Sequence, residues 1–271
     1  MPDYARFDKV VLARQEGRLL IVTLNRPERL NAVGDGMHEQ LTEILHEASA
    51  DKSVGAILLR GEGRAFCVGG DVKDFAARPS FEEGPSPAQV AVNTVHGAEI
   101  LHTILSVPQP IIAAVHGFAM GLGATIALFS DIVIAAEDAT IADTHVLVGL
   151  VAGDGGAVMF PLLAGLSAAR YYLLTGERIS GAEAARLGLV FKAVPAEELM
   201  ATASAVGEKL ANGAPLAVQW TKAVLNRLVK AQMTEVLETG LLYEGATFVS
   251  EDHREASQAF VEKRPPVFRG R

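Results

Sequence analysis

Ala113-Ala-Val-His-Gly-Phe-Ala-Met-Gly-Leu-Gly-Ala-Thr-Ile-Ala127 is the stretch on which the reading of this chain turns. Its first residues complete an apolar strand pattern begun at Ile111, a Gly-x-Gly turn follows at Gly121 and Gly123, and a buried helix starts there. At such a turn backbone N–H groups stand unpaired beside a helix N-terminus, where the peptide dipoles favour negative charge. The turn lacks the third glycine of a dinucleotide-binding fingerprint. A second glycine-bearing segment, Arg64-Ala-Phe-Cys-Val-Gly-Gly-Asp-Val-Lys-Asp-Phe75, follows the strand pattern ending at Leu59 and runs into a helical one. Two such turns facing each other would make an oxyanion hole, whereas either one alone reads as tight packing.

Outward from these turns, Leu19–Leu24 and Val54–Leu59 are short apolar runs flanked by turn residues, as strands buried on both faces require. Met37, Leu41, Ile44, Leu45 and Ala48 recur between them at helical spacing, giving a strand-helix-strand unit. Ile111–Val115, Ile132–Ala136, Thr140–Ala142 and Leu189–Val194 are further strand candidates. Residues 76–89 are rich in Pro, Gly, Ser and charge and read as a surface loop. Ser180-Gly-Ala-Glu183 is a capping box opening a helix that Gly188 closes. Past Pro195 only helical patterns follow, at 197–210, 215–229, 233–250 and 252–262. The expected organisation is an α/β core domain over 1–197 and a helical region over 198–271.

Composition narrows the function. The 271 residues are 49% hydrophobic, enough for a large core, and carry a formal net charge of -8 with no Lys/Arg-rich run, which disfavours nucleic acid. The single cysteine, Cys67, leaves no disulfide framework and no thiolate cluster for zinc, and no other metal-ligand spacing is evident. Cys67 is flanked by apolar residues without an adjacent base, which argues against a nucleophile. Met1–Val10 is charged and shows no signal-peptide pattern, and the apolar stretch 110–136 is interrupted by His116, glycines and Asp131, so it reads as core, with no membrane span. A cytoplasmic location is expected.

Five segments in order resemble the successive signatures of the crotonase (enoyl-CoA hydratase/isomerase) superfamily. They are Asn25-Arg-Pro-Glu-Arg-Leu-Asn-Ala32, Ala65-Phe-Cys-Val-Gly-Gly-Asp71, Ile111–Gly117 with Gly121-Leu-Gly123, Ser130-Asp-Ile-Val-Ile-Ala135, and Ala259-Phe-Val-Glu-Lys-Arg264. The resemblance implies a spiral of strand-strand-helix repeats with a C-terminal helical trimerisation region, as a homotrimer or a dimer of trimers. It further implies an acyl-CoA or enoyl-CoA substrate, with coenzyme A arriving as part of the substrate and no added cofactor. The oxyanion donors it implies are the N–H groups of Gly70 and Leu122. Coenzyme A contacts fall on the segment of Phe66, Val68, Asp71 and Val72, on Thr125, and on the cations Arg29 and Lys263.

The sequence departs from the family where its hydratases carry two glutamates, for those positions hold Thr125 and His145. Asp154, in Gly153-Asp-Gly-Gly156, reads either as a helix cap or as a base. Two crotonase relatives, dihydroxynaphthoyl-CoA synthase and oxocamphor hydrolase, carry an aspartate matching Asp154, and the latter also a histidine matching His145. His145 with Asp154 is therefore the expected acid/base pair, a histidine near neutrality whose tautomer a carboxylate fixes. His96 and His116 read as structural. The expected activity is that of an enoyl-CoA hydratase/isomerase-like enzyme working through an enolate. A retro-Claisen hydrolase of β-diketones and a catalytically silent acyl-CoA-binding relative stand as alternatives.

Overall fold

The computed structural model describes residues 2–71 and 87–271, with the backbone alone given over 87–96. The expected loop at 76–89 falls almost wholly outside the described residues.

A six-stranded sheet forms the first layer, in the order β1 (Val11–Glu16), β2 (Leu19–Leu24), β3 (Ala56–Gly61), β4 (Ile111–Val115), β6 (Ile132–Ala136), β9 (Lys192–Val194). The β1 strand is antiparallel to β2, and the remaining pairings are parallel. Every residue of β2 and β4 is buried, which is why both read as unbroken apolar runs. Two helices, α1 (Met37–Ala50) and α2 (Pro87–Ser106), pack on each other, and α1 also meets β1. The opposite element, α6 (Leu199–Ala211), lies across β2, β3, β4 and β6. Leu20, Leu24, Ile57 and Leu58 are wholly buried, each contributing about 2 kcal/mol of transfer free energy.

A three-stranded sheet, β5 (Phe118–Met120), β7 (Thr140–Ala142) and β8 (Ile179–Ser180), forms the second layer. Strands β4 and β6 of the large sheet each hand the chain to this layer and then to a helix. Thus β4 leads to β5 and α3 (Leu122–Phe129), and β6 leads to β7 and, through a 3-10 turn at His145–Val148, to α4 (Gly156–Thr175). After β3, residues 65–70 run beside β5 as a strand does, with Cys67 N–H donating to Phe118 O and Met120 N–H to Cys67 O, both at 3.0 Å. This is the spiral of strand-strand-helix turns that the resemblance implies.

The helix α5 (Gly181–Leu187) begins at Ser180, whose hydroxyl accepts from Glu183 N–H, and ends at Gly188. Beyond β9 come α6, α7 (Pro215–Thr247) and α8 (Glu251–Glu262). The pattern that suggested two helices, 215–229 and 233–250, belongs to the single helix α7. Its buried stripe is Lys222, Asn226, Met233, Leu237, Leu241 and Glu244, and the polar first half hides the continuity from a hydrophobicity reading. Those polar residues are nevertheless seated. Lys222 pairs with Asp131 at 2.7 Å and donates to the carbonyls of Ile104 and Gln109, while Asn226 donates to Leu105 O. Losing one partner of such a buried pair costs about 3 kcal/mol or more, so this pin holds α7 against the end of α2. The strand expected at 189–194 is only Lys192–Val194, because Leu189 and Val190 are bonded to the end of α5.

The α4 helix has the length and hydropathy of a membrane span, in a part of the chain other than the apolar stretch 110–136. Gly165, at φ 81° and ψ 157°, breaks it into two pieces, and its first turn, from Gly156 to Phe160, is largely buried.

Candidate active site

The two glycine turns are built against each other. Gly69 has φ +85°, and a Cβ there would stand 2.7 Å from Met120 O and 3.3 Å from Leu122 N, so both conformation and space require glycine. A side chain at Gly123 would overlap the Cys67 carbonyl oxygen. Neighbouring amides are spent: Asp71 N–H goes to Val33 O and Gly121 N–H to Ala142 O. Gly69 N–H points at the Cys67 sulfur, whose thiol burial pushes up to about 12. The N–H groups of Gly70 and Leu122 make no hydrogen bond among the described residues. Leu122 is the first residue of α3, where helical geometry leaves the amide without an internal acceptor.

The segment Asn25–Ala32 braces the first turn from below. Asn31, wholly buried, donates to the carbonyls of Glu62 and Ala65 and accepts from Arg26 N–H. Arg26, also buried, reaches Ala32 O, Asp35 and, at 3.6 Å, Asp71. The Asp71 carboxylate is thus turned toward Arg26 and Arg29, the latter 3.9 Å away.

Beside the second turn lies a buried acid/base cluster. Asp143 follows β7 and accepts from His145 Nδ1 at 2.7 Å. The other nitrogen, Nε2, is 3.3 Å from Asp154 and 3.8 Å from Glu244, which α7 projects into the site. Thr125 on α3 donates to the second oxygen of Asp154 at 3.0 Å. A Cβ at Gly121 would lie 3.6 Å from His145 Cε1, so the imidazole abuts the turn that presents Leu122 N–H. Gly156 leaves room for the far oxygen of Asp143 at the start of α4.

Burial opposes a charge on His145, but Asp154 and Asp143 outweigh it and raise its pKa well above the usual value. Burial would likewise raise Asp154, yet the imidazolium, the Thr125 hydroxyl and Gly156 N–H hold it low. Glu244 goes the other way: burial first, then the Asp154 charge, push it up to about 8 against the pull of His145. At neutral pH the cluster therefore holds an imidazolium at His145, a carboxylate at Asp154 and a protonated Glu244. It can donate a proton from Glu244 and shuttle another along His145 and Asp154. The donor atoms of Asp143, His145 and Asp154 lie within 4.8 Å of one another, close enough to suit a metal. With carboxylates facing both imidazole nitrogens, however, the arrangement matches a proton network.

His145 and Asp154 are brought together. Thr125 sits with them as a brace for Asp154, and Asp143 and Glu244 join as groups to which sequence reasoning gave no role. Phe66 is wholly buried with its N–H spent on His116 O, and Val68 is half-buried. Val72 lies outside the described residues. Arg29 is exposed beside Asp71, and Lys263 is exposed at the end of α8 with φ 55°. His116 Nε2 is bonded to Gly63 O at 2.9 Å, and the His96 side chain lies outside the described residues.

The sequence profile of the enoyl-CoA hydratase/isomerase family matches residues 14–271. The chain is 34% identical to the 1,2-epoxyphenylacetyl-CoA isomerase of Escherichia coli, over 96% of this chain and 98% of that one. It is 32% identical to the short-chain-enoyl-CoA hydratase of Clostridium acetobutylicum, over 94% and 95%. Among solved structures, an enoyl-CoA hydratase/isomerase from Mycobacterium paratuberculosis superposes with a TM-score of 0.85 at 36% identity, covering 93% of this chain and 98% of that one.

Proposed function

The chain belongs to the enoyl-CoA hydratase/isomerase family, and we propose that it forms the enolate of a coenzyme A thioester, acting as a hydratase or isomerase without the two-glutamate machinery. In this reading the thioester oxygen sits between the N–H groups of Gly70 and Leu122. His145, Asp154 and Glu244 move the protons. The observation that carries it is the abutment of the two turns with each other and with His145, which sets unspent amides beside a proton source. Charge appears on the oxygen only as the enolate forms, so the amides favour the transition state over the bound thioester.

Arg29 and Lys263 are proposed to meet the coenzyme A phosphates, and coenzyme A is part of the substrate, with no added cofactor. Copies of the chain are proposed to cover Trp220, Val224 and Leu228 on α7, which are exposed by 65%, 67% and 68%, in a trimer or a pair of trimers. A cytoplasmic location completes the proposal.

A second reading, retro-Claisen hydrolysis of a β-diketone, is favoured by one observation. The 2.7 Å bond that His145 Nδ1 donates to Asp143 leaves Nε2 facing Asp154, the histidine-carboxylate pairing that activation of water against a carbonyl requires. A mass-spectrometric screen of enoyl-CoA thioesters and β-diketones separates the two. The first predicts thioesters that gain water or isomerise, the second diketones that open with uptake of water, and silence toward both contradicts catalysis.

The protonated state of Glu244 gives a pH signature. Turnover that draws on its proton falls as pH rises through about 8, and Glu244→Gln loses that limb of the pH profile. Stability has the same sign. Folding takes up a proton wherever the folded pKa exceeds the unfolded one, so between the ordinary carboxyl value of 4.5 and about 8 stability declines with rising pH. A rate that stays flat as pH rises through about 8 would contradict the role.

A further inference from the structure

The segment from His145 to Asp154 is gripped by the last two helices at four points. Val151 N–H donates to Thr247 Oγ1 at 3.2 Å. Gly153 meets Gly240 backbone to backbone, with no space for a Cβ on Gly153 and a tight 3.0 Å approach for one on Gly240. Gly149, at φ +69°, lies so close to Asp252 and His253 that a Cβ would come within 3.0 Å of their backbone. The fourth point is a side chain: His253, 3% exposed, has Nδ1 2.7 Å from Val148 O, the last residue of the 3-10 turn that begins with His145.

The turn itself is short, four residues from His145 to Val148. Its first residue carries the imidazole, and His145 O accepts from Leu150 N–H immediately after it. His253 is fixed in its own right: its N–H is capped by Ser250 Oγ at the start of α8, and its ring lies edge-on to Phe248. The N-terminus of α8 is in turn clasped by the chain end, where Arg269 and Gly270 N–H donate to Asp252 and Glu251 N–H donates to Arg271 O. A rigid donor thus holds the far end of the turn whose near end carries the histidine.

We propose that His253 is a positioning residue for His145, setting the distances from the imidazole to Asp143 and Asp154 through the Val148 carbonyl. The proposal rests on His145 as the proton-transfer group. Its test reads geometry separately from turnover, through the downfield proton resonance of the 2.7 Å Asp143–His145 hydrogen bond, identified by its loss in His145→Ala.

His253→Ala is expected to shift or broaden that resonance and to lower kcat by about tenfold with KM little changed, since an ångström of misplacement can cost ~100-fold. His253→Gln, whose side-chain N–H can reach Val148 O, restores both. If His253→Ala does not fold, His253→Leu, which fills the same space but offers no N–H to Val148 O, is measured instead with the same expectation. A folded variant with the resonance and kcat unchanged overturns the proposal, as does a drop in melting temperature with wild-type kcat per folded molecule. A moved resonance together with full turnover in His145→Ala would instead leave the positioning standing and refute the proton-transfer role of His145.

Discussion

Replacing His145 by alanine is expected to lower kcat by about three orders of magnitude on whichever substrate the screen identifies. General acid/base transfer by a positioned group contributes about 10²- to 10⁴-fold. His145 stands toward the upper end because both ring nitrogens face carboxylates and its charge ties Asp143, Asp154 and Glu244 into one unit. Its loss also leaves two buried carboxylates without their cation, at a cost of several kcal/mol. Rates are therefore compared per folded molecule, with His145→Gln as the variant that keeps a hydrogen-bonding side chain. Asp154→Asn keeps the shape but removes one charge beside Nε2, so a smaller fall of about 100-fold is expected. Activity within a few-fold of wild type in both variants would remove the cluster from the mechanism.

A comparable loss is expected from a single methyl group at Gly123. Alanine there overlaps the Cys67 carbonyl oxygen and can be accommodated only if α3 and the 65–70 segment separate. That movement carries Leu122 N–H away from Gly70, and the loss of one oxyanion donor costs about 10²- to 10³-fold in kcat. Gly69→Ala presses on the second turn from the other side, at Met120 O and Leu122 N, and adds the strain of φ +85°. Steady-state kinetics with melting curves decide the matter: the expected result is a large fall in kcat that outruns the loss of stability.

Much of this geometry was legible before any coordinates. The parallel strands announce themselves because they are buried on both faces, and the five signature segments keep their order. Asn31 shows why one of them exists: its amide holds the carbonyls of Glu62 and Ala65 at the start of the first glycine-bearing segment, and no periodicity conveys that. The short strands β5 and β8 escaped notice because two or three residues carry no pattern. Edge strand β1, half-exposed and carrying Arg14 and Glu16, resembles a loop.

The groups that sequence reasoning missed differ in how they could have been found. Asp143 lies two residues before His145, a spacing that puts a carboxylate within reach of Nδ1, so a local signal was present. Glu244 lies far along the chain on a helix with other glutamates. Its one sign is that it continues the buried stripe of Met233, Leu237 and Leu241, where an ionisable side chain is out of place. That sign is readable only once α7 is recognised as one helix, and the seated Lys222 and Asn226 conceal this. Burial then supplies the chemistry, since an exposed glutamate would not keep its proton to about pH 8.

The most direct test of the oxyanion claim is a crystal structure with an acyl-CoA analogue in which an unreactive amide replaces the thioester. The account predicts its carbonyl oxygen within about 3.1 Å of both Gly70 N and Leu122 N, with His145 alongside. A carbonyl held by only one of these amides, or by neither, would contradict it.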